Sequence, residues 1–310
     1  MVRFHDIATI VVIILFSVTS GVHAQSLEPR AYANAPIGLN FLLVGYQNST
    51  GGLVFDPAVP VEDAETDVDI GFLGYIHTLD VAGNSSKVGM ILPYSSLAAT
   101  GFAVDPNGSK EFRTRDSQGL ADPLFFFSMN FFGAPATSLK DFKNYKQDTI
   151  VGFTITVVPP LGIYDSDKLI NIGTNRWTIK PGIGVSKAVG KWTLEASADV
   201  ALYTDNNDFF NGQTREQDPI YSSQLHVTYN FPRNIWLAIS ATYFTGGETA
   251  VDGVTNDDHQ SNTRTGFTLA LPINRKHSLK LYGSSGVSTR TGSNYDAFGI
   301  FWQYRWGGGI

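Results

Sequence analysis

The sequence predicts an all-β chain, a transmembrane antiparallel up-and-down β-barrel of about twelve strands. Three observations carry that expectation. Segments of period-2 alternation recur along the chain, each with one apolar face. The connections between them alternate between short and long. Tryptophan and tyrosine collect near the ends of the alternating segments.

The clearest such segment is WTLEASADVALY at 192–203. One face reads Trp192, Leu194, Ala196, Ala198, Val200 and Leu202. The other reads Thr193, Glu195, Ser197, Asp199, Ala201 and Tyr203. An apolar face backed by one with two carboxylates suits a strand set between lipid and a polar lumen.

Before the first strand, residues 1–24 read as a secretory signal. Arg3 opens it, and residues 7–16 form an apolar run of signal-core length that is too short to span a bilayer. Val22 and Ala24 put small residues at the −3 and −1 positions, so cleavage is expected between Ala24 and Gln25. An uncleaved anchor is the alternative, and the short run disfavours it. Residues 25–36, with their Pro, Ala and Asn content, are unsuited to a strand. They are expected to form a periplasmic or plug segment ahead of a barrel over 37–310.

Composition agrees. The 310 residues include no cysteine, so an exported chain must be held together by other means, and a closed hydrogen-bonded barrel does so. Aromatic residues make up 13% of the chain and there are 31 glycines. Outward apolar side chains, a polar lumen and Gly/Asp-rich loops account for that mixture. Beyond the signal no run approaches the about 18 apolar residues of a helical span. The net charge of −6 is spread along the chain without a basic cluster, which excludes nucleic-acid binding.

Strands are expected near 37–46, 67–80, 87–99, 119–132, 148–158, 174–187, 191–203, 217–230, 234–245, 262–272, 277–288 and 295–306. Their even number places both termini on the periplasmic side. Short turns are expected at 81–86, 188–190, 231–233 and 273–276. Long outer loops are expected at 47–66, 100–118, 159–173, 204–216 and 246–261, rich in Asp, Asn and Gly. Two connections depart from the rule. Residues 289–294 are short where a long loop is due, and 133–147 are long where a turn is due. In the latter, Leu139, Phe142 and Tyr145 have helical spacing, so a short helix is expected at the periplasmic rim, most simply a solvated one. Gly119 and Pro123 in GLADP read as a kink at strand entry.

All five tryptophans, Trp177, Trp192, Trp236, Trp302 and Trp306, lie near strand ends and are expected in interfacial girdles. The aromatic ending of 295–306 resembles the assembly signal of outer-membrane barrels, which makes the barrel-assembly machinery an expected partner. The trailing residues 307–310 depart from the usual terminal aromatic.

Five further segments carry a family resemblance: LEPRAYANAPIGLNFLL at 27–43, KVGMILPYS at 87–95, GLADP at 119–123, PLGIYDSDKLINIGTNRW at 160–177 and TREQDPIY at 214–221. With these the chain resembles the bacterial outer-membrane barrels grouped as phenol-degradation (meta-pathway) or MetA-like proteins, often called transporters. The resemblance spans essentially the whole mature chain. It implies passage of small, aromatic or hydrophobic compounds, and it supplies no catalytic residues.

If the apolar faces meet lipid, the lumen receives Arg176, Lys180, Glu195, Asp199, His226, Arg264, Lys280 and Arg305. Lys180 and Glu195, on adjacent strands of a tight hairpin, are candidates to pair. Such charges can filter solutes or form a structural network that fills the lumen, and the network is the simpler reading. His226 lies on a strand with Ser222 and Ser223, but no G-x-S-x-G motif is present, so a hydrolase site has little support. Asp252, Asp257, Asp258 and His259 share one outer loop, and Asp56, Glu62, Asp63, Glu65, Asp67 and Asp69 make the first outer loop acidic. Both are read as solvated loops ahead of metal sites. The sequence therefore assigns no catalytic residue, no cofactor and no metal. It predicts a channel or transporter of the bacterial outer membrane, whose partners are lipid and a small-molecule solute, with oligomeric state open. A closed structural or envelope-interaction barrel is the alternative, and a barrel hydrolase ranks below it.

Overall fold

The computed structural model describes residues 28–54, 61–104 and 109–310. The signal segment and its Ala24–Gln25 junction, and Asp56 of the acidic loop, lie outside the described residues. The barrel begins with β1 (Leu39–Val54), β2 (Val61–Val81), β3 (Asn84–Val104), β4 (Lys110–Leu120) and β5 (Leu124–Phe132). A single helical turn, α1 (Leu139–Phe142), precedes β6 (Thr149–Val158), β7 (Thr178–Val189) and β8 (Trp192–Tyr203). Two short strands, β9 (Asn206–Phe209) and β10 (Gln213–Gln217), precede β11 (Ile220–Asn230) and β12 (Trp236–Gly246). Two more, β13 (Thr249–Val251) and β14 (Val254–Thr255), precede β15 (Gln260–Pro272), β16 (His277–Ser288) and β17 (Gly292–Gly307).

Strand pairing closes this chain on itself. β1 pairs with both β2 and β17, and every later barrel strand pairs with its sequence neighbours. Counting β4 and β5 as one interrupted strand, the barrel has the twelve antiparallel strands that the alternation predicts. Closure leaves no open sheet edge in the spanning band among the described residues, so the backbone there can sit in hydrocarbon with its N–H and C=O groups paired, while β4 above it pairs with β3 alone. β9, β10, β13 and β14 form a separate four-stranded sheet from two outer connections.

Alternation appears directly in side-chain exposure. In β8, Leu194 is 45% exposed while Glu195 is 5% exposed, which separates a lipid face from a lumen face. In β11, Leu225 and Val227 point out while Gln224, His226 and Thr228 are buried. Trp192 packs edge-on against Tyr229, which packs on Phe231, an aromatic cluster at the short-turn end. Trp302, Tyr304 and Trp306 stack in sequence along β17, with His277 against the first two. Trp177 is exposed near the opposite end.

Three features depart from expectation. First, β1 to β4 run far past the membrane boundary set by the alternation, and the expected loops at 47–66 and 100–118 are largely strand. Above the bilayer no lipid imposes an apolar face, so β4 (KEFRTRDSQGL) pairs while most of its side chains remain exposed. Second, Trp236 is 9% exposed and packs with Ala238 and Ala270 inside the barrel, away from any girdle. In WLAISATYF the face of Trp236 also carries Ser240 and Thr242 and turns inward, while Leu237, Ile239, Ala241 and Tyr243 form the lipid face, so position near a strand end alone misled. Third, the rim helix is one turn long. The Ser138 hydroxyl caps it by accepting from the Asp141 N–H at 3.2 Å, and Tyr145 donates to the Gly133 carbonyl at 2.8 Å.

The GLADP kink has a clear mechanical role. Pro123 lacks a donor, and the strand breaks at 121–123 while keeping its place along β3. The Asp122 carboxylate then accepts from the Gly162 N–H at 2.7 Å, the Thr174 N–H at 2.8 Å and the Thr174 hydroxyl at 2.7 Å. The break in the strand thus anchors the outer connection between β6 and β7.

Candidate functional site: the barrel lumen

The chain enters the lumen before it enters the wall. At the start of β1, the Gly38 N–H donates to the Thr78 carbonyl at 2.8 Å, and the Thr78 hydroxyl donates to the Pro36 carbonyl at 2.7 Å. Residues 28–36 then cross the interior. The Ser85 hydroxyl donates to the Ala35 carbonyl at 3.2 Å, Asn130 to the Tyr32 carbonyl at 3.1 Å, and Lys87 to the Ala31 carbonyl at 2.8 Å. The Arg30 backbone N–H donates to the Glu195 carboxylate, and its guanidinium donates to Asn230 at 3.2 Å. That guanidinium lies 5.6 Å from the centre of the Trp236 ring, and the Lys280 ammonium lies 5.8 Å from the same ring. The hydrogen-bond and ring partners of the segment belong to β2, β3, β5, β8, β11 and β12, so it is tied to half of the twelve-stranded wall.

Two glycines make room for it. A Cβ on Gly184 would collide with the Tyr32 ring, and one on Gly152 would come within 2.8 Å of it. Tyr32 fills that space and packs with Ala134 and Ile150.

The expected lumen residues divide into three levels. Glu195, His226 and Lys280 sit near the crossing segment. His226 Nδ1 and the Ser240 hydroxyl are 2.8 Å apart, and the ring is 4% exposed. At mid-height, Arg264 donates to Ser284 at 3.0 Å and to the Tyr295 carbonyl at 2.9 Å, with its guanidinium 3.4 Å from the Tyr295 ring centre. Lys180 and Asp199 line the wall nearby, 3.9 Å apart, and Asp199 also accepts from Ser222 at 2.7 Å. Arg176 stands at the outer mouth, donating to the Gln217 side chain, with its guanidinium 4.3 Å from the Tyr203 ring centre.

Two of these placements correct the expectations. Lys180 pairs with Asp199 and not with Glu195. The tight turn at Gly190 sets the register, so Gly182 faces Asp199 and Ser186 faces Glu195, six residues farther along from Lys180. Arg305 leaves the lumen set: its guanidinium donates to the Arg275 carbonyl in the 273–276 turn, at the rim. The sequence did not single out Arg30, Lys87, Asn230 or Arg215, which meet these residues in space from loops or distant strands. Among the described residues no group of His, Asp and Glu side chains is arranged to hold a metal ion.

A twelve-stranded antiparallel barrel with an apolar outer face, a polar interior and short turns at one end has the architecture of an outer-membrane β-barrel. A family described as "Putative MetA-pathway of phenol degradation" matches residues 46–304, and the chain belongs to that family. Among solved structures it is similar to an outer membrane channel from Pseudomonas putida F1, with a TM-score of 0.71 and 22% identity over 91% of this chain and 100% of that one. It is also similar to the translocator domain of the autotransporter NalP from Neisseria meningitidis, with a TM-score of 0.50 and 10% identity over 89% of this chain and 91% of that one. These two likenesses establish the fold. No curated protein sequence matches the chain.

Proposed function

We propose that this barrel sits in a bacterial outer membrane and passes small, aromatic or hydrophobic molecules through its lumen, with the segment at 25–36 acting as a plug. The observation that carries the reading is the polar lumen of a closed barrel crossed by residues 28–36, which accept hydrogen bonds from Ser85, Lys87 and Asn130 and donate one to the Glu195 carboxylate. Twelve strands enclose more space than the about eight that side chains alone fill, and less than the 16–18 of an open aqueous pore. Membership of a family described by phenol degradation, and likeness to a protein described as a channel, support a solute of that chemistry. Outer-membrane lipid on the apolar face and delivery by the barrel-assembly machinery complete the proposal.

The lumen charges take two roles in this reading. Glu195 ties the plug to the wall through the Arg30 N–H, while His226 and Arg264 are committed to wall partners, Ser240 for the first and Ser284 and Tyr295 for the second. Lys180 and Asp199, with side chains 34% and 11% exposed, are open enough to act on a passing solute. Liposome swelling with phenols, alkanes, sugars and organic acids tests the proposal. Phenols should enter faster than sugars of equal size, and equal rates would remove the selectivity. The dense contacts of the crossing segment favour one second reading, a closed structural barrel. Folded protein that passes no solute would support it. Among the described residues the His226–Ser240 contact is what recommends a hydrolase, and phospholipid or peptide turnover abolished by His226→Ala would be its signature.

A further inference from the structure

At the outer mouth, two arginines are held together, and among the described residues no carboxylate is paired to either. Arg176 comes from the β6–β7 connection and Arg215 from β10 of the outer sheet. Asn206 joins the two elements: it accepts from Asn175 at 2.8 Å, donates to the Tyr164 hydroxyl at 2.9 Å, and lies opposite Arg215 in the β9–β10 pairing. Each guanidinium lies over an aromatic ring, Arg176 at 4.3 Å from the centre of Tyr203 and Arg215 at 5.3 Å from that of Phe209. Burial comes first and the neighbouring Arg215 charge second in pulling the Arg176 guanidinium down to about 10, and burial lowers Arg215 as well. Both therefore remain charged at neutral pH, and they repel one another.

Of the three carboxylates that these charges feel, Asp258 and Asp122 are already engaged elsewhere, and Asp205 is exposed to solvent beside Arg176. Asp258, which acts most strongly on Arg215, accepts from the Thr249 N–H at 2.7 Å and from its hydroxyl at 2.6 Å. Asp122, which acts on Arg176, is saturated by Gly162 and Thr174. Among the described residues neither arginine has an acidic oxygen within 4.0 Å. Arg176 Nη1 is buried without a hydrogen-bond partner among the described residues. A buried donor on a charged group, next to a second like charge, is a costly arrangement that an anion would relieve. The planar forks of two arginines suit a carboxylate, and Tyr164, Tyr203 and Phe209 surround them with aromatic surface.

We infer that Arg176 and Arg215 form an anion subsite at the outer mouth that takes the carboxylate of a small aromatic acid. The inference rests on the channel reading in one respect, that solutes reach this mouth from outside. The subsite would concentrate aromatic carboxylates ahead of the narrower lumen, and neutral phenols would gain little from it.

Calorimetric titration of the full barrel folded in detergent tests the subsite, with benzoate as probe, phenol as its uncharged counterpart and sulfate as competitor. Benzoate should bind about tenfold or more tighter than phenol, as charge-assisted hydrogen bonds predict. Arg215→Gln should weaken benzoate about tenfold and leave phenol unchanged, while Arg215→Lys should keep part of the affinity. Sulfate should displace benzoate. Benzoate binding no tighter than phenol in the unmodified protein would overturn the inference without recourse to any variant. So would benzoate affinity unchanged by Arg215→Gln in protein that keeps its heat-modifiable mobility. Swelling assays on the same preparation separate the two claims. Solute passage without benzoate binding removes the subsite alone, and benzoate binding without passage removes the channel alone.

Discussion

At the scale of single residues, Glu195 and Asp199 show how position along one strand sets role. Both face inward, yet Glu195 lies under the Arg30 backbone while Asp199 borders the open wall near Lys180 and Ser222. Cysteines at 195 and 199 should therefore react with water-soluble thiol reagents, with 199 the faster. Cysteines at 196 and 198 should respond to lipid-phase probes, and the reverse pattern would invert the faces. Gly184 offers a second residue-scale test, because any β-carbon there occupies the place of the Tyr32 ring. Gly184→Val should cost about 1–3 kcal/mol by overpacking. Tyr32→Ala on the same background should recover most of that loss in thermal unfolding.

At the scale of elements, the hairpins show what sequence patterns convey and what they omit. The β7–β8 strands were legible because lipid outside and polar groups inside impose alternation. Their exact register was not: the two-residue turn at Gly190 and Lys191 sets every opposing pair and brings Lys180 near Asp199, where the alternation alone pointed to Glu195. The β2–β3 turn works alike: Gly83 adopts φ 79 and its N–H donates to Asp80 at 2.7 Å. Nothing lies within 4 Å of a Cβ added there, so the cost of a side chain is backbone strain alone. Gly83→Ala should destabilise by about 1–2 kcal/mol, read from urea unfolding in detergent, and an unchanged midpoint would refute the strain. By contrast, the outer extensions of β1 to β4 carried no apolar face to betray them. Trp236 was misplaced because a tryptophan at a strand end reads as interfacial, although its own face of β12 carries Ser240 and Thr242. Arg215 escaped notice because loop residues meet partners through tertiary contacts that no local period encodes.

At the scale of the whole molecule, the barrel divides into a lipid-facing exterior and a lumen occupied from within. The exterior makes a depth-dependent prediction. Leu225 is 62% exposed in mid-strand, whereas Tyr221 lies toward the outer end of the same strand. Leu225→Arg should cost about 2–4 kcal/mol in folding into bilayers, and Tyr221→Arg about 0–1 kcal/mol. Equal penalties at the two positions would argue against a spanning barrel. The interior depends on the segment that crosses it, and its contacts come from strands far apart in sequence, which is why composition alone pointed to a plug without giving its partners. The most direct measurement is single-channel conductance in planar bilayers, comparing the full barrel with a variant lacking residues 26–35. The plugged-channel account predicts small, intermittent currents from the former and a larger, steady conductance from the latter. Identical conductance from both, on folded protein, would contradict it.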